Sequence, residues 1–112
     1  MGLDVPDVVE RIVRELKERA GNLTAAEAAR LARWSKSRIR HVFTKRAGMN
    51  FRTARLLARM VYARDLLIHT LMTIPQIASK LGYSDRTKFD KAFKGVYGVT
   101  PAQYRRQHTA IR

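Results

Sequence analysis

Residues 73–90 have the sequence TIPQIASKLGYSDRTKFD, and this stretch decides the fold. Thr73 and Gln76 have the spacing of a capping box, in which two side chains bond the free amides at a helix start. Pro75 suits the first turn of a helix, because it lacks the amide that would be unpaired there. Gly82 is typical of a helix end. The stretch therefore predicts a short capped helix, a tight turn, and a second helix beyond it.

The same pattern occurs earlier in the chain, first at an offset of 49 residues and then at 50. The matched residues at offset 49 are Thr24, Ala29, Trp34 and Ser35 with Thr73, Ala78, Tyr83 and Ser84. Those at offset 50 are Ile39, Val42, Phe43 and Gly48 with Phe89, Ala92, Phe93 and Gly98. The second copy thus has one extra residue in or just after its turn. Two helix-turn-helix units are predicted, and the second helix of such a unit enters the DNA major groove.

Outside the repeat, apolar residues at helical spacing and further capping signals predict an all-α fold of about seven helices. The first helix carries Val8, Val9, Ile12, Val13 and Leu16 on one face, is capped by Asp4 and closes at Gly21-Asn22. The others run from Thr24 to about Arg33, from Ser35 to Gly48, from about Phe51 to His69, from Thr73 to near Gly82, from Ser84 or Asp85 to before Gly98, and from Thr100 through Tyr104. The predicted organisation is a subdomain at 1–50, a linker helix at 51–70 and a second subdomain at 71–112.

The chain has 112 residues and a formal charge of +14, from 23 Lys and Arg against 9 Asp and Glu. Such an excess opposes folding by self-repulsion, so a polyanionic partner is expected, nucleic acid before an acidic membrane surface. The absence of cysteine excludes disulfide frameworks and cysteine metal sites. No apolar run approaches a membrane span, and the first ten residues do not resemble a signal peptide. A soluble cytoplasmic protein is expected.

The outward positions of both second helices are basic or small and polar. They are Lys36, Ser37, Arg38, Arg40, His41, Thr44 and Lys45 in the first unit, and Arg86, Thr87, Lys88, Asp90, Lys91 and Lys94 in the second. An ordinary solvated helix mixes both signs of charge and carries acids in its first turn. The alternative of two hairpins in a plain helical bundle does not account for this charge, which favours nucleic-acid binding.

These residues resemble the AraC/XylS family of bacterial transcription regulators. The strongest match runs from Ile77 to Asp85 and continues through Phe89, Phe93, Gly98 and the Thr100 to Arg105 stretch; upstream, Ser35, Ile39, Phe43, Gly48, Phe51, Arg59, Ala63, Leu66 and Leu67 hold the family's spacing. The resemblance covers about Val8 to Arg105. It implies two helix-turn-helix subdomains on one long helix, whose recognition helices contact adjacent major-groove segments of double-stranded DNA.

The resemblance implies specific DNA contacts. The base-contacting set is Ser37, Arg40 and His41, with Arg38 on the same helix, and Thr87, Lys88 and Lys91. The backbone-contacting set is Thr24, Lys36, Lys45, Thr73, Arg86, Lys94 and Thr100. Arg and Lys favour guanine, and helix starts offer amides to phosphates.

Several positions depart from the family's pattern. Arg33 stands where the first turn usually has glycine, which predicts strain of ~1 kcal/mol if its backbone is left-handed. Ala54 replaces an aromatic residue of the linker helix. Ser37 and Thr87 are small, which predicts weaker base discrimination or more dependence on DNA shape.

Other functions are less consistent with the sequence. A non-specific nucleoid or RNA-binding protein is the alternative, but RNA modules usually display stacking aromatics. No nucleophile, base and acid constellation indicates an enzyme, and His41, His69 and His108 are too scattered for a metal site. Neither a cofactor nor a small-molecule ligand is indicated. Because one chain carries both units, a monomer can bind, and activation would add a contact with RNA polymerase.

Overall fold

The computed structural model describes residues 5–108, and their regular secondary structure is entirely α-helical. The helices are α1 (Val5–Glu18), α2 (Ala25–Ala32), α3 (Lys36–Ala47), α4 (Phe51–His69), α5 (Ile74–Lys80), α6 (Arg86–Tyr97) and α7 (Pro101–His108). The predicted all-α fold with seven helices is thus confirmed for this part of the chain. The predicted Asp4 cap lies outside the described residues.

The chain divides into two compact units, one up to Arg59 and the other from Met60, so that the boundary falls inside α4. The first unit contains α1, α2, α3 and the start of α4. The second contains the rest of α4 with α5, α6 and α7. The three-part division with a linker helix at 51–70 stays a prediction.

The helix starts follow the capping signals of the sequence. Thr24 and Thr73 both form complete capping boxes, with Glu27 and Gln76 as their partners. Thr100 and Gln103 exchange the same two hydrogen bonds at the start of α7, at 2.9 and 3.2 Å. Side-chain oxygens also cap α3, α4 and α6: Ser35 Oγ accepts from the Arg38 amide, Asn50 Oδ1 from the Thr53 amide and Asp85 Oδ1 from the Lys88 amide.

The two turns that join α2 to α3 and α5 to α6 have the same backbone geometry. The Trp34 amide donates to Ala29 O and the Tyr83 amide to Ala78 O, both at 3.0 Å, while the preceding amides bond one turn back to Arg30 and Ser79. This nested pair of bonds is a Schellman motif, which requires a left-handed residue. Arg33 has φ 58° and Gly82 has φ 88° at that position. Arg33 therefore has the left-handed backbone under which the sequence predicts strain.

The helix caps pair Ser35 with Asp85 and not with Ser84 as the repeat suggested, so Ser84 is the extra residue of the second repeat. In the first unit Ser35 directly follows the turn residue Trp34 and caps α3. In the second unit Ser84 follows Tyr83, and the cap is the next residue, Asp85. The sequence left Ser84 and Asp85 as alternative caps of α6. The Lys88 amide donates to Asp85 Oδ1, so Asp85 is the cap.

Each unit has its own apolar core. In the first, Ile39 and Phe43 of α3 are buried against α1 and α2, and Phe43 meets Phe51 edge to face at 5.4 Å between ring centroids. In the second, Phe89 and Phe93 of α6 are fully buried. Phe93 contacts Tyr97 and Tyr104 at centroid distances of 4.7 and 5.5 Å. Such aromatic contacts hold the inner face of each second helix and leave its outer face in solvent.

The last helix is longer than predicted. The sequence indicated an end at Tyr104, but α7 continues to His108. The Arg105 side chain explains the extension, because its Nε donates to Leu67 O at 3.0 Å and its Nη2 lies 3.3 Å from Thr70 O. Leu67 is in the last turn of α4 and Thr70 directly follows the helix, where a cation is favourable for the helix dipole. This long-range contact has no signal in the local sequence.

Gly21 cannot be replaced without strain. Its φ is +81°, and an added Cβ would lie 2.4 Å from Arg55 O. We predict that Gly21→Ala lowers the free energy of unfolding by roughly 3 kcal/mol, through left-handed strain and overpacking together. Gly48→Ala is the matched control, since Gly48 has φ +76° but nothing within 4 Å, and it should cost about 1 kcal/mol. Urea unfolding measures both variants, and an equal loss of unfolding free energy in the two would contradict the steric explanation.

Glu27 gives the first capping box a pH dependence. Its carboxylate accepts from the Thr24 amide at 3.1 Å, and this hydrogen bond is the main reason that its pKa is below the ordinary value of 4.5. A lowered pKa stabilises the folded state above the ordinary value, and that stabilisation is lost as the pH falls through the folded value. We predict that wild type exceeds Glu27→Gln in stability near neutral pH and that the gap closes in acid.

Urea unfolding at a series of pH values measures this gap. Gln76→Ala is the control, because it disrupts a capping box that contains no titrating group, and its difference from wild type should not change over the same range. A Glu27→Gln gap that is constant with pH would show that the carboxylate charge contributes nothing.

Candidate nucleic-acid interface

The α3 helix separates an apolar inner face from a basic outer face. Ile39 and Phe43 are buried, and residues on the opposite side follow the helical spacing of i, i+4 and i+7. Ser37, His41 and Thr44 therefore form the centre of the exposed face, and all three are exposed. The helix carries five Lys and Arg residues and no acid. Its surface is thus a strip of small polar groups between cations.

The predicted contact residues of α3 lie on this strip or at its sides. Ser37 and His41 lie one turn apart and define a line along the exposed face, called the Ser37–His41 line. Arg38 and Arg40 are exposed on opposite flanks of this line, as their positions on the helix require. Lys36 is in the first turn and Lys45 in the last turn, both exposed. The Thr44 hydroxyl donates to Arg40 O at 2.7 Å, so its hydrogen already has an acceptor within the helix.

The α6 helix presents an equivalent face in the second unit. Phe89 and Phe93 are buried, and Thr87, Lys91 and Lys94 form the exposed centre. Lys88 lies on one flank, at the repeat position of Arg38, and Arg86 begins the helix; all five outward residues are exposed. The structure thus brings each predicted base-contacting set together on one helix face. Its members remain predicted DNA contacts.

The two faces differ in charge at one repeat position. Arg40 of α3 corresponds to Asp90 of α6, at the offset of 50 residues. Asp90 is half-buried, and its Oδ2 lies 3.5 Å from Arg86 Nε. Because this ion pair is exposed on its arginine side, it adds little stability, but it neutralises one flank of α6. The corresponding flank of α3 carries Lys36 and Arg40, both positive.

The three predicted helix-start contacts, Thr24, Thr73 and Thr100, also differ in charge. Each threonine hydroxyl already accepts from an amide of its own box. The partner is neutral glutamine at Thr73 and Thr100 but a carboxylate at Thr24, namely Glu27, whose lowered pKa keeps it ionised near neutral pH. A phosphate would meet repulsion at the start of α2 that is missing at the starts of α5 and α7.

One feature of the interface has no counterpart in the sequence prediction. The Arg38 guanidinium carbon lies 4.2 Å above the centroid of the Trp34 ring. Trp34 packs against the core of the first unit, and its side chain is only half-buried. The two residues are four apart, which is a contact spacing within helices, but Trp34 precedes α3, so spacing alone did not indicate the contact.

The chemistry that these faces allow is recognition of a polyanion. Within residues 5–108, no group of three His, Asp or Glu side chains is placed to hold a metal ion. No helix in the same part of the chain combines the length and apolar character needed to cross a membrane. Exposed cations and hydroxyls on a rigid helix can bond phosphate oxygens and base edges.

A family model described as a helix-turn-helix domain matches residues 28–107 of the chain. Among curated proteins, the chain is 42% identical over 66 residues to the regulatory protein PocR of Salmonella typhimurium. That match covers 59% of this chain but 22% of PocR, so the chain spans about a fifth of the length of this relative.

Solved structures with the same fold include two bacterial regulator domains. The C-terminal domain of AraT, a response regulator from Geobacillus stearothermophilus, is 29% identical to this chain with a TM-score of 0.79. The match covers 91% of this chain and 86% of the AraT chain. An AraC-type DNA-binding domain protein from Chromobacterium violaceum has a TM-score of 0.85 at 21% identity and covers 96% of both chains. With the family model and the paired helix-turn-helix units, these matches show that the chain belongs to the AraC-type helix-turn-helix family.

Proposed function

We propose that this chain binds duplex DNA in a sequence-dependent manner and serves a bacterial transcription regulator as its DNA-binding domain. The observation that carries the proposal is the pair of 12-residue helices, α3 and α6, each of which follows a Schellman turn. Each has two buried aromatic or aliphatic residues on its inner face and a basic outer face.

The dimensions of these helices suit the DNA major groove. A helix of 12 residues is about 18 Å long, and the groove admits a helix because it is ~12 Å wide. In a helix-turn-helix the residues near the start of the second helix contact base edges. This supports Ser37, Arg40 and His41 as base contacts in the first unit, and Thr87, Lys88 and Lys91 in the second.

Four further exposed cations of these helices would bind the DNA backbone. Lys36, Lys45, Arg86 and Lys94 lie at the ends of the two recognition helices, where the groove walls place the phosphates. Such contacts provide most of the affinity and make it depend on salt. Thr73 and Thr100 begin helices with neutral capping partners, which favours them over Thr24 as the sites of backbone contact.

Because both recognition helices belong to one chain, we propose that a monomer contacts two DNA elements about one helical turn, or ~34 Å, apart. From this function we also propose that the protein is located in the bacterial cytoplasm, at the nucleoid. Contact with RNA polymerase would accompany activation, and the chain's similarity to regulatory proteins such as PocR supports a role in transcription. We assign no catalytic role.

Two single variants, Arg40→Ala and Lys94→Ala, test the proposal, because they remove cations with different predicted roles. Arg40→Ala should cost ~1–3 kcal/mol at one base pair and relax the preference there. Lys94→Ala should weaken binding to all duplexes alike and reduce the slope of log K against log salt by about 0.9. Fluorescence anisotropy with duplexes that differ at single base pairs measures both effects.

Wild-type protein on a shuffled duplex of the same composition is the reference. Equal loss on every duplex for both variants would contradict base contact by Arg40 and favour the alternative of a non-specific nucleic-acid-binding protein. A salt response that is flat for wild type would contradict binding through phosphates altogether.

A further inference from the structure

The backbone of Trp34 is held within the turn that precedes α3. Its amide donates to Ala29 O in the Schellman turn, at 3.0 Å. The half-buried side chain packs against the core of the first unit. The part that remains accessible lies next to the start of α3. Trp34 therefore offers a partly accessible aromatic surface beside the start of α3, a helix that bears no acid in its first turn.

The Arg38 guanidinium lies on this surface, with its carbon 4.2 Å from the ring centroid. Among residues 5–108, Arg38 forms no ion pair with a carboxylate. A guanidinium that stacks on a ring uses its face, so its five N–H groups still point outward in its plane. The stacked side chain therefore remains able to bind an anion through two parallel hydrogen bonds.

The position of the stacked group suits a phosphate better than a base edge. Arg38 is one residue beyond the Ser37–His41 line, on the flank of α3 that also bears Lys45. Side chains on a helix lean toward its N-terminus, and the contact with Trp34 holds the guanidinium beside the turn rather than over the centre of the face. At that end the helix dipole adds positive potential, which attracts a phosphate.

We propose that Trp34 is a positioning residue for DNA binding: it holds the Arg38 guanidinium at the start of α3 as an anchor for one backbone phosphate. Arg38 then contacts phosphate instead of the base edge predicted from the sequence. The proposal rests on the proposed function and extends it to a residue that does not itself need to contact DNA. Its benefit is preorganisation, because a long side chain that is ordered in the free protein loses less freedom on binding.

A double-mutant cycle in fluorescence anisotropy tests the coupling, with Trp34→Leu, Arg38→Ala and the double variant on a duplex selected from random DNA and on a shuffled duplex. Trp34→Leu should weaken binding about 2- to 5-fold when Arg38 is present and change nothing further in the Arg38→Ala background. Trp34→Phe, which keeps a ring, should retain most of the affinity. Arg38→Ala should weaken both duplexes alike and lower the salt slope by about 0.9.

A second measurement does not depend on the folding of any Trp34 variant. Trp34 is the chain's sole tryptophan, so acrylamide quenching of its fluorescence reports the accessibility of this ring alone. Arg38→Ala should increase the quenching by uncovering the ring, while Lys45→Ala, which removes a cation from the same flank, should leave it unchanged. Circular dichroism checks that each variant retains its helices.

The outcomes separate this inference from the proposed function. If wild type binds no duplex, the proposed function is wrong and the inference falls with it. If wild type binds but Trp34→Leu costs the same with and without Arg38, the ring acts only on stability and the inference alone is overturned. The inference is also overturned if Arg38→Ala relaxes the preference at one base pair, or leaves the quenching unchanged.

Discussion

Both units depend on one backbone constraint, the left-handed residue that closes the Schellman turn between the first and second helices. This residue allows the next amide to reach back to Ala29 O or Ala78 O, and so determines where α3 and α6 begin. Gly82 adopts the conformation without a side-chain penalty, whereas Arg33 adopts it at φ 58° against a cost of about 1 kcal/mol. The core contacts of Phe43 and Phe93 and the outward direction of the basic residues all follow from the placement of this turn.

The two units share this turn, but the charges on their second helices differ. In the first, α3 begins at a neutral serine cap and carries cations on both flanks. In the second, α6 begins at an aspartate cap, and the Arg86–Asp90 pair neutralises one flank. Because phosphate attraction depends on the net local charge, the first recognition helix should contribute more of the non-specific affinity. The second carries more of the aromatic packing.

The sequence predicted those features that depend on neighbouring residues and missed those that depend on distant ones. The capping boxes at Thr24, Thr73 and Thr100 were predictable, because each is encoded within four residues. The extension of α7 to His108 was not, since it depends on Arg105 reaching carbonyls of α4. Likewise the pattern placed Arg38 on the exposed face of α3, but the stacking on Trp34 required the geometry of the turn. The outward faces were predictable because charge and helical spacing suffice to define them.

The central claim is that two recognition helices on one chain contact DNA bases, and selection of bound duplexes from random DNA at physiological salt tests it most directly. The account predicts that sequencing of the bound pool yields two short elements at a fixed spacing of about one helical turn. A pool that binds but shows no enriched element would contradict sequence-dependent contact by these helices, and a single unpaired element would contradict the use of both.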